Sequence, residues 1–406
     1  MAHFRGLKGG VLFACALTIW AAWLAGATPT ATQESPPTTS SQAAYTYGQA
    51  MRFHLAAEAT DRIEHVTLYL TAPELSNPLT VGVPVEPGRS IRASHTIDLT
   101  QVRLNPFTIV TYWWVLTIAG RDDYTVPGQS IMYEDDRFEW RKQARDDDAV
   151  RWTGADSSLG GIALDIVSSA RLRLQTILPD LEAGPVRLYV YPSSADLRAA
   201  MRLAGRDWVD EHTPPELGVV LVAAVNDKTA SLDLVRSISH EMAHRLLYEV
   251  AGDAYHTLPV WFNEGVAIYT ESADAAADEQ QLMTAVMGKT TIPLVELCRE
   301  FPATEEGRMF AEVQSVSLIR FIQDSYDAQA IGDLLQVYTN GADCEEGVQR
   351  ILGRSLASLE RAWLRDLRPR PPWVRFLEEN GLWLLLLVGG FGLAGLLVVG
   401  PPQNRR

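Results

Sequence analysis

Two histidines four positions apart, His240 and His244, lie in an apolar stretch and constrain the fold more than any other feature. Residues at positions i and i+4 of an α-helix share one face, about one turn apart. The neighbouring residues predict that this helix is buried, since they include Leu234, Val235, Ile238, Met242, Ala243 and Leu246. Buried histidines are costly unless a polar partner satisfies them. A metal ion meets that need, because both rings can reach one ion at about 2.0–2.1 Å.

The residue directly after the first histidine, Glu241, gives this segment the HExxH spacing of metal-dependent hydrolases. Its carboxylate would point toward the open position of the metal and act as general base for an attacking water. The chain contains eight histidines. The spacing alone therefore arises by chance in about one such chain in a hundred. The alternative is a surface helix that carries two histidines and a carboxylate.

The residues after the motif separate classes of zinc site. A metzincin needs a glycine three positions and a histidine six positions after the second histidine. Those positions hold Leu247 and Val250, so the metzincin class is excluded. A second apolar helix is predicted over residues 259–270, and it carries Glu264 twenty positions after His244.

The sequence HEMAH followed at this distance by WFNEG resembles the gluzincins, the thermolysin-like zinc peptidases, and most closely the peptidase MA-like families. The resemblance implies that His240, His244 and Glu264 bind Zn²⁺. It also implies that Glu241 is the catalytic residue.

The chain departs from the gluzincin pattern in two places. Thermolysin carries an aspartate one turn after its third ligand, where this chain has Ile268, so the residues that orient the histidines stay unassigned. Related enzymes stabilise the oxyanion with a tyrosine or histidine. Phe310 lies near the position where relatives often have tyrosine, and phenylalanine cannot donate a hydrogen bond. Tyr326 and Tyr338 are candidates, although a core or surface role is also open for each.

We predict an α+β protein with an N-terminal immunoglobulin-like β-sandwich, a mostly helical gluzincin (thermolysin-like) peptidase domain and a C-terminal transmembrane helix. Residues 45–133 show short runs with period-2 alternation, separated by turns, which are typical of a β-sandwich. Residues 134–158 are acidic and predict an irregular connector. Residues 159–368 form the predicted peptidase domain, where a strand at 218–223 either edges the active-site cleft or lies in the core. YEDDRFEW at 133–140 resembles part of the module that often precedes this domain in membrane-anchored bacterial members.

Apolar segments at both ends predict export and a membrane anchor. Residues 1–27 have the features of a signal peptide, with an uncleaved anchor as the alternative. Residues 28–44 are rich in Pro, Ser and Thr and predict a flexible linker. Residues 381–400 contain no charged residue and can cross a hydrocarbon core of about 30 Å. A juxtamembrane segment at 369–380 precedes them, and the basic tip at 401–406 predicts a cytoplasmic tail, which leaves the catalytic domain extracytoplasmic.

Charge and cysteine content limit the partners and the compartment. The formal net charge of −15 argues against a nucleic-acid partner. Three cysteines occur, and one lies in the first apolar segment. Cys298 and Cys344 could form one disulfide in an oxidising compartment. The alternative is two unpaired buried thiols, which is the interpretation we favour from the sequence.

Together these features predict a membrane-tethered extracytoplasmic zinc metallopeptidase that hydrolyses peptide or protein substrates, with Glu241 as general base. The alternative is a catalytically inactive protein with a peptidase fold that binds or senses ligands at the cell surface. Its support is Phe310 in place of an expected tyrosine. A third hypothesis makes the β-sandwich the binding module and the helical region its scaffold.

Overall fold

The computed structural model describes residues 35–206, 213–224, 230–271, 276–327 and 329–368, together with residues 376, 380–387 and 389. Strands come first along the chain and helices dominate later. In chain order the elements are β1 (Thr38–Thr46), β2 (Ala50–Thr71), β3 (Leu79–Val83), β4 (Gly88–Asp98), β5 (Thr108–Ile118), β6 (Tyr124–Thr125), β7 (Gln129–Tyr133), β8 (Arg141–Arg145), β9 (Asp148–Trp152), α1 (Leu159–Ile177), β10 (Arg187–Tyr191), α2 (Ser194–Leu203), β11 (Val220–Ala223), α3 (Ala230–Ala251), α4 (Val260–Glu271), α5 (Ala276–Gly288), α6 (Leu294–Leu297), α7 (Glu305–Ser325), α8 (Ala330–Thr339), α9 (Cys344–Leu352) and α10 (Leu356–Asp366). Short 3-10 helices span Pro215–Leu217 and Gly252–Thr257.

The N-terminal region is β-rich, as predicted, whereas the immunoglobulin-like form of the predicted β-sandwich stays a prediction. Strands β1 to β7 form one seven-stranded sheet organised around β2, which is 22 residues long. β2 pairs with β1 and β4 along its first half and with β3 and β5 along its second half, and the register shifts between Glu58 and Ile63. Because one long strand carries both halves, hydrogen bonds join all the strands into a single sheet. The two halves nevertheless face each other, since the Trp114 indole on β5 donates to the Ser41 hydroxyl on β1 at 3.0 Å and the rings of Phe53 and Tyr112 lie 4.9 Å apart.

The predicted linker at residues 28–44 is wrong over its second half. β1 covers Thr38 to Thr46 and pairs antiparallel with β2, from Thr38 opposite Glu58 to Thr46 opposite Ala50. The composition predicted flexibility, but threonine is β-branched and suits a strand once a neighbouring strand supplies hydrogen bonds. Residues 28–34 and the predicted signal peptide at 1–27 lie outside the described residues.

A second sheet corrects the predicted connector at residues 134–158. β8 and β9 lie inside that range and form a four-stranded sheet in the order β11-β10-β9-β8, in which β10 is parallel to both β9 and β11. The acidic residues there are partly structural. The Asp148 carboxylate accepts hydrogen bonds from the Arg171 guanidinium and the Val186 backbone N–H, each at 2.8 Å. The mixed α/β region therefore begins before residue 159.

The junction between the two sheets is built around Asp135, whose side chain is fully buried. Arg137 donates to both oxygens of this carboxylate, at 2.8 and 2.6 Å, and the hydroxyl of Tyr191 on β10 donates at 3.3 Å. The neighbouring Glu134 accepts a hydrogen bond from Tyr189 at 2.9 Å. The acidic residues after β7 thus attach the first sheet to the second.

The helical region places α3 and α4 where the sequence predicted helices, and α7 packs closely against α4. Gly265 makes this approach feasible, because a Cβ there would lie 2.8 Å from both the backbone oxygen of Ser315 and a side-chain carbon of Ile319. Gly265 follows Glu264 directly. The contact therefore holds α7 beside a predicted metal ligand.

Cys298 and Cys344 form a disulfide, so the favoured interpretation of two unpaired thiols is wrong. The end of α6 and the start of α9 bring the two Cα atoms to 6.1 Å, although 46 positions separate them in sequence. Such proximity depends on helix packing and leaves no local trace in the sequence. The indole N–H of Trp261 donates to the sulfur of Cys344 at 3.3 Å.

In the part of the chain that the structure describes, no helix combines the length and the apolar character needed to cross a membrane. The predicted transmembrane helix at 381–400 and juxtamembrane segment at 369–380 lie largely outside the described residues, and the tail at 401–406 does so entirely.

Candidate metal centre

The structure brings the three predicted metal ligands together. α3 carries His240 and His244, and α4 carries Glu264. The two Nε2 atoms lie 2.9 Å apart, and Oε2 of Glu264 lies 3.6 Å from each. Tetrahedral zinc with bonds of about 2.0–2.1 Å places its ligand atoms about 3.3–3.4 Å apart. The three atoms therefore fit one shared ion, and two imidazoles with one carboxylate suit zinc.

Burial makes this convergence significant. His244 is 2% exposed and sits among the buried side chains of α3, including Met242 and Leu246. Burial lowers the pKa of His240, but its hydrogen bond to Glu271 and the charges of Glu264 and Glu241 outweigh burial and raise the pKa to about 9. The surrounding carboxylates thus favour positive charge at this point, which a bound divalent ion would supply.

Glu271 orients the first histidine. Its Oε1 lies 2.7 Å from Nδ1 of His240, so the Nδ1–H donates to the carboxylate and Nε2 is left to face the metal. Thermolysin has such a carboxylate one turn after its third ligand, where this chain has Ile268, so Glu271 was not predicted. The available signal was a glutamate seven positions after Glu264, because two turns of a helix return to the same face.

Arg173 on α1 supports the backbone behind this pair. Its Nε donates to the carbonyl oxygen of Thr270 at 2.6 Å, and its Nη2 donates to the hydroxyl of Ser239 at 3.2 Å. The hydroxyl of Thr270 in turn donates to the carbonyl oxygen of Ser239 at 3.0 Å. Ser239 directly precedes His240, and Thr270 directly precedes Glu271. The network therefore ties α1, α3 and α4 together just behind the metal centre.

The second histidine has neutral partners. Nδ1 of His244 lies 3.2 Å from Oδ1 of Asn263 and 3.0 Å from the hydroxyl of Tyr255, and the amide of Asn263 donates to that hydroxyl at 3.1 Å. Tyr255 contacts the nitrogen that faces away from the metal, so it orients the ring. Neither Tyr255 nor Asn263 was assigned from the sequence. Of the candidate tyrosines, Tyr338 is 1% exposed and packs in the helical core.

The predicted general base is held by a residue that the sequence did not indicate. Glu241 is 8% exposed, and its Oε2 accepts a hydrogen bond from the backbone N–H of Thr213 at 2.8 Å. The Thr213 hydroxyl donates to the carbonyl oxygen of Leu221 at 2.9 Å and accepts from its N–H at 3.2 Å. Leu221 lies in β11, the edge strand of the second sheet. β11 is largely buried, as a core strand would be, and Thr213 links it to Glu241, while its role as an edge of the active-site cleft stays a prediction.

A cavity of about 890 Å³ opens beside the metal centre. Glu264 is both a proposed metal ligand and part of the cavity wall. Four of the lining residues are acidic and two are basic, the full set being Val260, Glu264, Arg299, Glu300, Phe301, Pro302, Ala303, Glu305, Arg308 and Glu312. Burial and the negative charge of Glu264 raise the pKa of Glu312, against the effects of His240 and Arg308.

Comparisons with known proteins found one family match and several structural similarities. Residues 169–368 match the family model described as Peptidase MA superfamily, and no curated protein matches the chain. Among solved structures, the M1 zinc metallopeptidase from Deinococcus radiodurans has 13% identity and a TM-score of 0.33, covering 82% of this chain and 94% of that chain. A two-domain M1 zinc metallopeptidase mutant bound to L-arginine has the same identity and coverage with a TM-score of 0.32.

One further structural match falls on a smaller part of the chain. The β-1,3-glucan binding domain of carbohydrate-binding module family 56 has 14% identity and a TM-score of 0.17, covering 23% of this chain and 98% of that domain. Scores of this size support no functional argument. The family match does include every residue of the metal-ligand group. Over residues 169–368 the chain is therefore similar to the Peptidase MA superfamily.

Proposed function

We propose that this chain is a membrane-tethered extracytoplasmic zinc metallopeptidase that hydrolyses peptide bonds, with Glu241 as general base. The observation that carries the proposal is the convergence of His240, His244 and Glu264 within 4.8 Å of one another. The match of residues 169–368 to the Peptidase MA superfamily supports the reaction class.

The zinc would be held by the two Nε2 atoms and the Glu264 carboxylate. When bound, it supplies Lewis acidity that polarises the scissile carbonyl and lowers the pKa of a water molecule. Glu271 keeps the Nδ1–H of His240 in place, so that Nε2 remains the metal-facing nitrogen. Asn263 does the same for His244. These contacts preorganise the ligands before substrate arrives.

Glu241 performs the proton transfers in this proposal. Its carboxylate accepts a proton from the attacking water and delivers it to the nitrogen of the leaving amine. The Thr213 N–H donates to its Oε2, which restricts rotation of the carboxylate. Thr213 also binds the edge strand β11, where an extended peptide could add as a further strand. The same residue therefore links the proposed base to the proposed peptide-docking edge.

Hydrolysis by the Glu241→Gln variant tests the catalytic proposal. We expect zinc to remain bound and kcat to fall by about 10²–10⁴-fold, because glutamine keeps the shape but cannot accept the proton. Glu249→Gln is the matched control, since it removes an exposed carboxylate from the same helix. Wild type, both variants and a chelator-treated sample are assayed on one peptide library. Full turnover by Glu241→Gln contradicts the mechanism, whereas zinc binding without any hydrolysis by wild type favours the inactive binding protein.

The extracytoplasmic location is supported by the disulfide, because disulfides persist mainly in oxidising compartments. The membrane tether is supported by the uncharged run at 381–400. Within its described part, Leu382, Trp383 and Leu385 are each about 70% exposed and leave an apolar surface uncovered. Protease treatment of intact cells tests both points. We expect release of the catalytic region, whereas full protection until lysis contradicts the location and release without protease contradicts the tether.

A further inference from the structure

Glu312 lies on α7, one turn before Ser315, where α7 meets Gly265 of α4. The close helix contact places Glu312 along the same cavity as the metal ligand Glu264. Its side chain is half-buried, whereas the other acidic lining residues, Glu300 and Glu305, are exposed. Glu312 is therefore the carboxylate that a substrate in this cavity would meet beside the metal centre.

The carboxylate of Glu312 lacks a protein partner in the described ranges. Neither a hydrogen bond nor an ion pair engages it there, and Arg308, one turn away, affects it only through its charge. Glu134 offers a contrast, because that half-buried carboxylate binds the Tyr189 hydroxyl at 2.9 Å and Arg151 at 3.1 Å. Glu312 can therefore bind a ligand group without first breaking a contact to the protein. The cavity leaves room for that ligand.

The charge of the cavity selects the kind of ligand. Glu264 would be committed to the metal, which leaves Glu300, Glu305 and Glu312 against Arg299 and Arg308. Exposed charges such as those of Glu300 and Arg299 are screened by solvent, whereas Glu312 and Arg308 are both half-buried. The preference therefore depends on which of these two groups a part of the ligand reaches, and Glu312 is the acidic one. An unpartnered carboxylate recognises a cationic donor most strongly, and in a peptide that donor is a protonated amine.

We propose that Glu312 binds a protonated amine of the peptide substrate, and so determines specificity for substrates with a positive charge close to the scissile bond. This inference rests on the proposed peptidase function of the same site. The amine can be a free amino terminus or a lysine side chain, since both present the same ammonium group.

Peptide binding to the zinc-loaded Glu241→Gln protein tests the inference without turnover. The probes, followed by calorimetry, are tetra-alanine amide, its N-acetylated form, and an N-acetylated tetrapeptide amide with one lysine among alanines. We expect at least one amine-bearing probe to bind about tenfold to a hundredfold more tightly than acetylated tetra-alanine. The two amine probes distinguish an amino terminus from a side chain. Adding Glu312→Gln should remove the preference and leave the acetylated probe's affinity unchanged, while Glu305→Gln is the matched control.

The outcomes separate this inference from the proposed function. Equal binding of charged and acetylated probes, no detectable binding of either amine probe, or equal effects of Glu312→Gln and Glu305→Gln would overturn the role of Glu312. Cleavage of peptides by zinc-loaded wild type is measured in parallel. Cleavage without an amine preference rejects the role of Glu312 and retains the peptidase function. An amine preference that Glu312→Gln abolishes, in a protein that cleaves no peptide, retains the role of Glu312 and rejects the peptidase function.

Discussion

The Asp135 junction and the metal-ligand group are both buried polar centres. They differ in whether their polar atoms are satisfied by other protein groups or are arranged to bind an ion. At the junction, Arg137 and Tyr191 donate to the oxygens of Asp135, so the chain itself satisfies the buried charge. At the metal centre, the ring nitrogens of His240 and His244 and the carboxylate of Glu264 converge on one point. A centre completed from within is structural, whereas ligand atoms that converge on one point define a place for an ion.

The contributions of the two centres to folding and to metal binding can be measured separately. Variants at the junction should lower the free energy of unfolding and leave metal affinity unchanged. Variants around the metal centre should lower metal affinity and change the stability of the metal-free protein little. A variant that changes both quantities would count against this division.

Asp135→Ala should give the largest effect. It leaves Arg137 and the buried hydroxyl of Tyr191 without this acceptor. Breaking a buried ion pair costs about 3–5 kcal/mol, and we expect the lower end because Arg137 is 31% exposed and keeps its hydrogen bond to the carbonyl oxygen of Asp196. Urea denaturation of the metal-free protein measures the loss. Asp147→Ala, at an exposed position, should stay within about 0.5 kcal/mol of wild type. If folded Asp135→Ala protein also binds the metal more weakly than wild type, the junction is not purely structural and this division is wrong.

Glu271→Ala should lower metal affinity by about tenfold to a hundredfold, because Nδ1 of His240 loses the carboxylate that orients the ring. Competition with a chelator measures the dissociation constant. Asn263→Ala removes a neutral partner from His244, and hydrogen bonds with a charged partner are roughly twice as strong as neutral ones. We therefore expect a smaller loss for Asn263→Ala. Equal losses would show that the charge of Glu271 adds nothing to its role.

Arg173→Lys should give the smallest effect, a loss of metal affinity of only about a few-fold, since the supporting contacts are one step further from the ligands. Lysine cannot reach the acceptors on Thr270 and Ser239 together, because it lacks the planar fork of arginine. The backbone before His240 and Glu271 then becomes less constrained. Lower stability with unchanged metal affinity would assign Arg173 to the fold alone.

The grouping of the three proposed metal ligands was predictable, partly from local periodicity and partly from the resemblance to the gluzincins. His240 and His244 are one helical turn apart, and the class of site followed from Glu264 in the next apolar helix. Glu271 was missed because the comparison with thermolysin directed attention to Ile268, although the same helical geometry places Glu271 on the face of Glu264. The helix assignments succeeded for the same local reason.

The remaining errors involve contacts between distant parts of the chain. The Cys298–Cys344 disulfide depends on how α6 and α9 pack, and Thr213 contacts Glu241 from 28 positions away. The threonine-rich β1 became a strand only because β2 is long enough to pair with it. In each case the contacting residue is too far away in the sequence for a local periodic pattern to predict the contact.

Zinc titration of the metal-free protein tests the central claim most directly. Peptide hydrolysis and bound zinc are measured in the same samples, for wild type and for Glu264→Gln. We predict that wild-type hydrolysis rises in proportion to bound zinc and saturates at one ion per chain, while Glu264→Gln needs a much higher zinc concentration. Hydrolysis that is complete before zinc is added, or an identical titration for Glu264→Gln, would contradict a metal centre built from His240, His244 and Glu264.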